Sequence, residues 1–196
     1  MPSSLLPHQQ DDRKQVENLE FSPIKDADEA YALEVASFPV DNSYTMEPLP
    51  TLIHQAPQLA LGAYYTSEAI TEDHSPKPQL VGLIVGSCVD DDRVTKESMA
   101  KHDPKGDFVS IRCVCVDADW RGKGVAKTML LHYLQMLRQA KRNGANYRTA
   151  GLLSHTEVIP LYEKVGFTNL GKSPIVLGAR DWYNMELPLN AVIAEP

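Results

Sequence analysis

Ile111-Arg112-Cys113-Val114-Cys115-Val116-Asp117-Ala118-Asp119-Trp120-Arg121-Gly122-Lys123-Gly124-Val125-Ala126 passes from an apolar, β-branched strand through a short turn into a long amphipathic helix. Asp117 to Trp120 makes the turn, and Gly122, Gly124 and Ala126 leave the backbone N–H groups of the first helical turn uncovered. Those donors have no partner within the helix, and with the helix dipole behind them they attract phosphate. Two common phosphate motifs are not completed. Gly122-Lys123-Gly124 lacks the third glycine and following acidic residue of the dinucleotide fingerprint, and it lacks the Gly-Lys-Ser/Thr ending of Walker A. A tight strand-to-helix turn without a ligand is the plain alternative.

At 196 residues and 43% hydrophobic, the chain can bury one sizeable core and is short for two. A formal charge of −7 offers no basic face for phosphate backbones, so a nucleic-acid partner is not expected. Three cysteines leave one unpaired in any scheme. Cys113 and Cys115 share a strand face without Cys-x-x-Cys spacing, so buried reduced thiols are expected rather than a zinc or redox site. No apolar run reaches the ~20 residues of a membrane span, and Met1-Pro2-Ser3-Ser4 begins neither a signal peptide nor a myristoylation site. The expectation is a soluble, cytoplasmic monomer that does not engage a membrane.

Residues 1–18 are polar and aperiodic and read as a disordered tail, followed by a single domain over 19–190 and a short tail at 191–196. Strand 19–24 leads to a helix capped by Asp26 and ended by Phe38-Pro39. A shaped loop follows, carrying Tyr44 and Met46, then a helix over 51–56. Segments 59–66 and 80–89 form a hairpin across a long polar insertion. The acidic run Asp90-Asp91-Asp92 has no calcium-loop spacing behind it and reads as solvated. Strand 108–116 feeds a helix over 123–143, with Val125, Met129, Leu130, Leu134 and Leu137 inward and Gly144 as its stop. Strand 147–153, a helix over 157–165 and strands 167–170 and 181–187 close the chain. Hairpins flanking one strand–helix–strand crossover imply an α/β fold with a mixed sheet.

Arg121-x-x-Gly124-x-Ala126 resembles the acetyl-CoA pyrophosphate loop of the GNAT N-acetyltransferase superfamily, and the order of elements agrees with that fold. Pro57-Gln58-Leu59-Ala60-Leu61-Gly62, Leu80-Val81-Gly82-Leu83-Ile84-Val85-Gly86-Ser87, Glu97-Ser98-Met99 and Ile159-Pro160-Leu161-Tyr162-Glu163-Lys164-Val165-Gly166-Phe167 resemble the arylalkylamine (serotonin) N-acetyltransferase family, which has polyamine-acetylating fungal relatives. The resemblance spans residues 21–187 and implies direct acetyl transfer from acetyl-CoA to a primary amine, with no acyl-enzyme and no metal.

By the same resemblance, the main chain of Val114, Cys115 and Val116 pairs with the pantetheine, and Arg121, Gly122, Lys123, Gly124, Val125, Ala126 and Lys127 hold the pyrophosphate. For Lys123 a solvated helix side chain is the alternative. Tyr162 aligns with the tyrosine beside the coenzyme sulfur, where a phenol can protonate a thiolate. The base departs from the vertebrate pattern. Two strand positions that hold histidines there carry Ser110 and Arg112; a hydroxyl can order water but is no base, and a guanidinium does not give up its proton. Glu34, His155 and His54 remain as candidates, His54 reading best as a surface residue. Phe38, Pro39, Tyr44 and Met46 are expected to form the acceptor wall, with Ile159 and Trp182 near it.

An aromatic amine suits such a wall, whereas a polyamine would use carboxylates such as Asp41 and Glu47. The competing functions are a protein lysine or N-terminal acetyltransferase and a non-catalytic CoA-binding module. The basic phosphorylation motifs of the vertebrate relatives are not evident, so no phosphoserine-binding partner is expected.

Overall fold

A computed structural model describes residues 16–38, 49–66 and 78–190. Strand β1 (Glu20–Pro23) precedes helix α1 (Ala27–Ser37). Asp26 caps α1 through Oδ1, which accepts from the N–H groups of Asp28 at 2.9 Å and Glu29 at 3.1 Å. Helix α2 (Leu49–Gln55) starts two residues earlier than expected, because Pro50 is tolerated in a first helical turn. Then come β2 (Ala60–Tyr65), β3 (Gln79–Val89) and β4 (Phe108–Val116). Helix α3 (Val125–Arg142), β5 (Thr149–Ser154), the short α4 (Ile159–Glu163), β6 (Thr168–Lys172) and β7 (Tyr183–Pro188) complete the order.

Among the described residues seven strands form one sheet in the order β1-β2-β3-β4-β5-β7-β6. Its neighbours are antiparallel except β4 and β5, which run parallel across the α3 crossover. The sheet is therefore mixed, as the alternation of hairpins and one crossover predicts. β3 lies inside it between β2 and β4, with every residue after Gln79 buried, which explains its nearly unbroken apolar run.

Helices cover both faces. Met129, Leu130, Tyr133, Leu134 and Leu137 of α3 recur at helical spacing and pack with Val81, Ile84, Val109 and Ile111. Truncating a side chain as buried as Leu134 costs about 2–5 kcal/mol. Ala30 and Leu33 of α1 and Leu49, Leu52 and Ile53 of α2 cover the opposite face over Leu83, Val85, Cys113 and Cys115. Gly82 permits the close approach of α3, since a Cβ there would stand 3.0 Å from Met129 Sδ and 3.2 Å from the Cys115 carbonyl oxygen.

The expected tail through residue 18 is corrected: Val16 packs on the main core and its carbonyl accepts from the Leu19 N–H at 3.2 Å. Residues 1–15 and 191–196 lie outside the described residues, as does most of the insertion between β2 and β3. The helix expected over 157–165 is only Ile159–Glu163, with a hydrogen-bonded turn on each side.

Candidate active site

The turn after β4 is held by its own side chains. Asp117 Oδ1 accepts from the Asp119 N–H at 2.9 Å, and Arg121 Nε donates to the Val116 carbonyl at 2.9 Å, binding the turn back to the strand end. Gly122 and Gly124 have φ of 77° and 94°, in the left-handed region that side chains disfavour. α3 begins at Val125, two residues later than its periodicity suggests, because Gly124 is the left-handed N-cap. No side chain caps this end, and a Cβ on either glycine would meet nothing within 4 Å. The first-turn N–H groups of α3 thus face open space with the helix dipole behind them, a cradle that fits a pyrophosphate. Val125 itself is buried in the core, so only its main chain can take part. Lys127 is exposed, and Lys123 sets its Nζ 5.3 Å above the Trp120 ring, which replaces the solvated alternative.

Upstream of the turn the sheet splits. β4 and β5 are paired from Phe108–Thr149 to Ile111–Leu152; beyond that β5 keeps only β7, its partner along the whole strand, while β4 continues along β3 to Val116. The Asp117 N–H donates to the Val81 carbonyl on the β3 side, so strand alternation turns the main-chain groups of Val114 and Val116 to the open edge, where the Val116 carbonyl already accepts from Arg121 and the Val116 N–H and the Val114 N–H and C=O are left for a ligand. That edge can accept an extended ligand as an added strand. Cys115 is corrected here: its main chain faces β3, where Leu83 is its register partner.

At the vertex β4 carries a bulge. Ile111 is opposite Gly86 and Cys113 opposite Val85, leaving Arg112 as the extra residue. The bulge shifts the alternation, so Ile111 packs under α3 whereas Cys113 packs under α1 and α2. A cleft of about 140 Å³ opens between the diverging strands. Ile111, Val114 and Leu152 lie along it, Phe38, Met99, Leu153, Val158 and Trp182 form apolar walls, and Glu34, Arg112, Ser154, His155 and Tyr162 bring polar atoms.

Glu34 Oε1 lies 3.3 Å from Arg112 Nη2, with side chains 13% and 7% exposed. Burial raises the Glu34 pKa, opposed by the Arg112 charge and a bond from the Cys113 thiol. The carboxylate is therefore committed to a cation. Nη1 of Arg112 is buried with no partner among the described residues.

His155 differs. Its ring packs against Trp182, tilted by 36° with centroids 3.8 Å apart, and Nδ1 is 3.2 Å from the Asp181 carbonyl oxygen. Because a carbonyl only accepts, that bond puts the hydrogen of the neutral ring on Nδ1 and leaves a lone pair on Nε2. Nε2 is buried with no partner among the described residues. Tyr162, on α4, is 7% exposed and edge-on to Phe167. Burial, reinforced by Cys113 and Cys115, drives its pKa far up, so the phenol stays a proton donor.

Six expected site positions sit elsewhere or cannot be placed. Ser110 is fully buried with Oγ 3.3 Å from Ser98 Oγ, away from the cleft. Ile159 faces the main core, and its neighbour Val158 takes the place at the cleft wall. His54 is exposed on α2 with Nδ1 2.6 Å from the Pro50 carbonyl oxygen. Pro39, Tyr44 and Met46 lie outside the described residues. The cysteines are free and buried, with the Cys113 and Cys115 sulfurs 3.1 Å apart. Sequence reading missed Met99, Leu153, Ser154 and the cleft role of Arg112. Met99 and Arg112 lay in stretches quoted from the sequence, whereas Leu153 and Ser154 did not.

The model of the "Acetyltransferase (GNAT) domain" family matches residues 71–169, half of the chain, including the split strand, the glycine turn and α3. The chain belongs to the GNAT acetyltransferase family. Serotonin N-acetyltransferase of Mesocricetus auratus is 29% identical over 111 residues, 57% of this GNAT chain and 52% of the relative. The chain spans about half the length of the curated relatives it matches. Among solved structures, the loading GNATL domain of CurA from Lyngbya majuscula superposes with a TM-score of 0.66 at 14% identity, covering 88% of this chain and 98% of that one. Arabidopsis thaliana Naa50 bound to the bisubstrate analogue CoA-Ac-MVNAL superposes with a TM-score of 0.58 at 20% identity, covering 87% and 98%. At these identities the structural likeness speaks for the GNAT fold.

Proposed function

We propose that this GNAT chain transfers the acetyl group of acetyl-CoA to the primary amine of an arylalkylamine by direct attack. The observation that carries the reading is the meeting, in one cleft at the strand split, of a lone-pair imidazole nitrogen on His155 and a neutral phenol on Tyr162. Acetyl-CoA, when bound, supplies an activated acyl carbon and a thiolate leaving group. The chain's own groups do the rest. The α3 N-terminus and its glycine turn bind the phosphates, and the open edge at Val114 and Val116 aligns the pantetheine. His155 Nε2 receives the proton of the incoming amine, and the Tyr162 hydroxyl protonates the departing sulfur.

An aromatic acceptor is favoured over a polyamine by the walls. Phe38 and Trp182 offer apolar rings, and Glu34, the carboxylate that lines the cleft among the described residues, is occupied by Arg112. Among the described residues, a second ammonium of a polyamine would find no unpaired carboxylate there.

The test is to mix the purified full chain with acetyl-CoA and tryptamine, serotonin, phenethylamine or spermine and to follow free thiol. Arylalkylamines are expected to release thiol faster than spermine. Background thiol release with the whole panel overturns the reading.

A further inference from the structure

Arg112 has a role that its pairing with Glu34 does not exhaust. It is the bulged residue of β4, the first beyond the last β4–β5 pair at Ile111–Leu152, and it lines the cleft at the vertex. Glu34 holds one end of the guanidinium through Nη2. Nη1 remains buried, with no partner among the described residues, on a side chain only 7% exposed. Buried donors are nearly always satisfied, and one fixed at the head of a cleft calls for an acceptor atom brought by a ligand.

We propose that Arg112 is a catalytic residue whose Nη1–H donates to the acyl oxygen of the bound thioester, with Glu34 as the positioning residue that fixes the guanidinium plane. This rests on the acetyl-transfer reading above. A pantetheine running along the open edge from the α3 N-terminus passes Val116 and Val114 before reaching Arg112, so the acyl group comes last, at the vertex. The amine nitrogen forms the new bond to the acyl carbon while the carbon–sulfur bond breaks. The amine proton goes to His155 Nε2, the sulfur takes a proton from Tyr162, and the acyl oxygen carries negative charge in passing. A guanidinium held in place before that charge develops stabilises it without reorganisation. Glu34 balances the cation in the resting cleft and, being engaged, does not compete as the base.

The deciding experiment compares wild type, Arg112→Gln, Arg112→Lys and the charge-free double variant Glu34→Gln/Arg112→Gln, each checked for folding by thermal melting and for acetyl-CoA affinity. Infrared difference spectra of bound acetyl-CoA labelled with carbon-13 at the carbonyl, with no amine present, read the acyl oxygen directly. The wild-type carbonyl band is expected below that of the free thioester, returning toward it in Arg112→Gln and in the double variant. With tryptamine, kcat of Arg112→Gln should fall about 100-fold while acetyl-CoA affinity changes less than about threefold, and Arg112→Lys should lie between. An unmoved band in a folded Arg112→Gln, or a loss confined to the amine KM, overturns the assignment. If no amine releases thiol from wild type, the acetyl-transfer reading fails, and the band comparison still judges Arg112.

Discussion

The imidazole of His155 lies on the indole of Trp182, with centroids 3.8 Å apart, and its Nδ1 is 3.2 Å from the Asp181 carbonyl oxygen. Trp182 is itself fixed by a 2.8 Å bond from Nε1 to the Leu177 carbonyl. The ring is thereby held in one tautomer and one plane, as a proton acceptor requires. His155→Gln should lower kcat about 100-fold near neutral pH and recover toward alkaline pH, where free amine is abundant. A pH–rate profile identical to that of wild type would remove His155 from the mechanism.

Tyr162 should matter to turnover and not to cofactor capture. Tyr162→Phe is expected to reduce kcat with acetyl-CoA affinity nearly unchanged, because the ring and its packing on Phe167 survive. Since burial raises the phenol pKa, its ionisation contributes no alkaline fall in activity up to pH 10. An affinity loss without a turnover loss would show that the ring merely packs.

Glu34 gives a stability prediction with a definite sign. Its folded-state pKa is raised by burial, so the folded chain binds this proton more tightly than the unfolded one between the ordinary carboxylate range and the raised value. Stability from this group is present at low pH and lost as pH rises through the folded pKa. Wild type should therefore gain Tm relative to Glu34→Gln on acidification from pH 7. Wild type losing ground instead would mean that Arg112 outweighs burial.

Gly124 and Gly144 bracket α3 with similar left-handed conformations, φ 94° and 103°, and a Cβ on either meets nothing within 4 Å. Valine at either position costs about 1–2 kcal/mol of backbone strain, or about 2–8 °C in Tm. Only Gly124→Val places a side chain where the uncapped N–H groups open. CoA affinity measured by calorimetry should drop at least about tenfold in that variant and hold in Gly144→Val, a difference of about 1.4 kcal/mol in binding. Equal affinities would argue against the turn as the phosphate site.

The strand, turn and helix around Gly124 were legible because each obeys a local rule: alternation, positive-φ glycine and helical spacing. Asp26 as a cap and Gly144 as a stop were legible for the same reason. The cleft was not, because it depends on a register. Strict alternation puts Ser110, Arg112 and Val114 on one face, and the bulge at Arg112 sends Ser110 to Ser98 and Arg112 to Glu34. Met99 arrives from a loop far along the chain, and Ile159 yields to Val158 through a half-turn of helix start that periodicity does not specify.

Tyr133, fully buried on α3, donates from its hydroxyl to the Leu59 carbonyl at 3.1 Å, joining the helix to the segment that enters β2. A polar link in an apolar interior admits one depth of insertion, since sliding the helix by a turn would strand both groups without water. The two ends of the ligand site are thus set to a common scale. Tyr133 fixes how far the dipole of α3 stands from the strand vertex, so the length of molecule that fits between phosphate cradle and reacting cleft is gauged from inside the core.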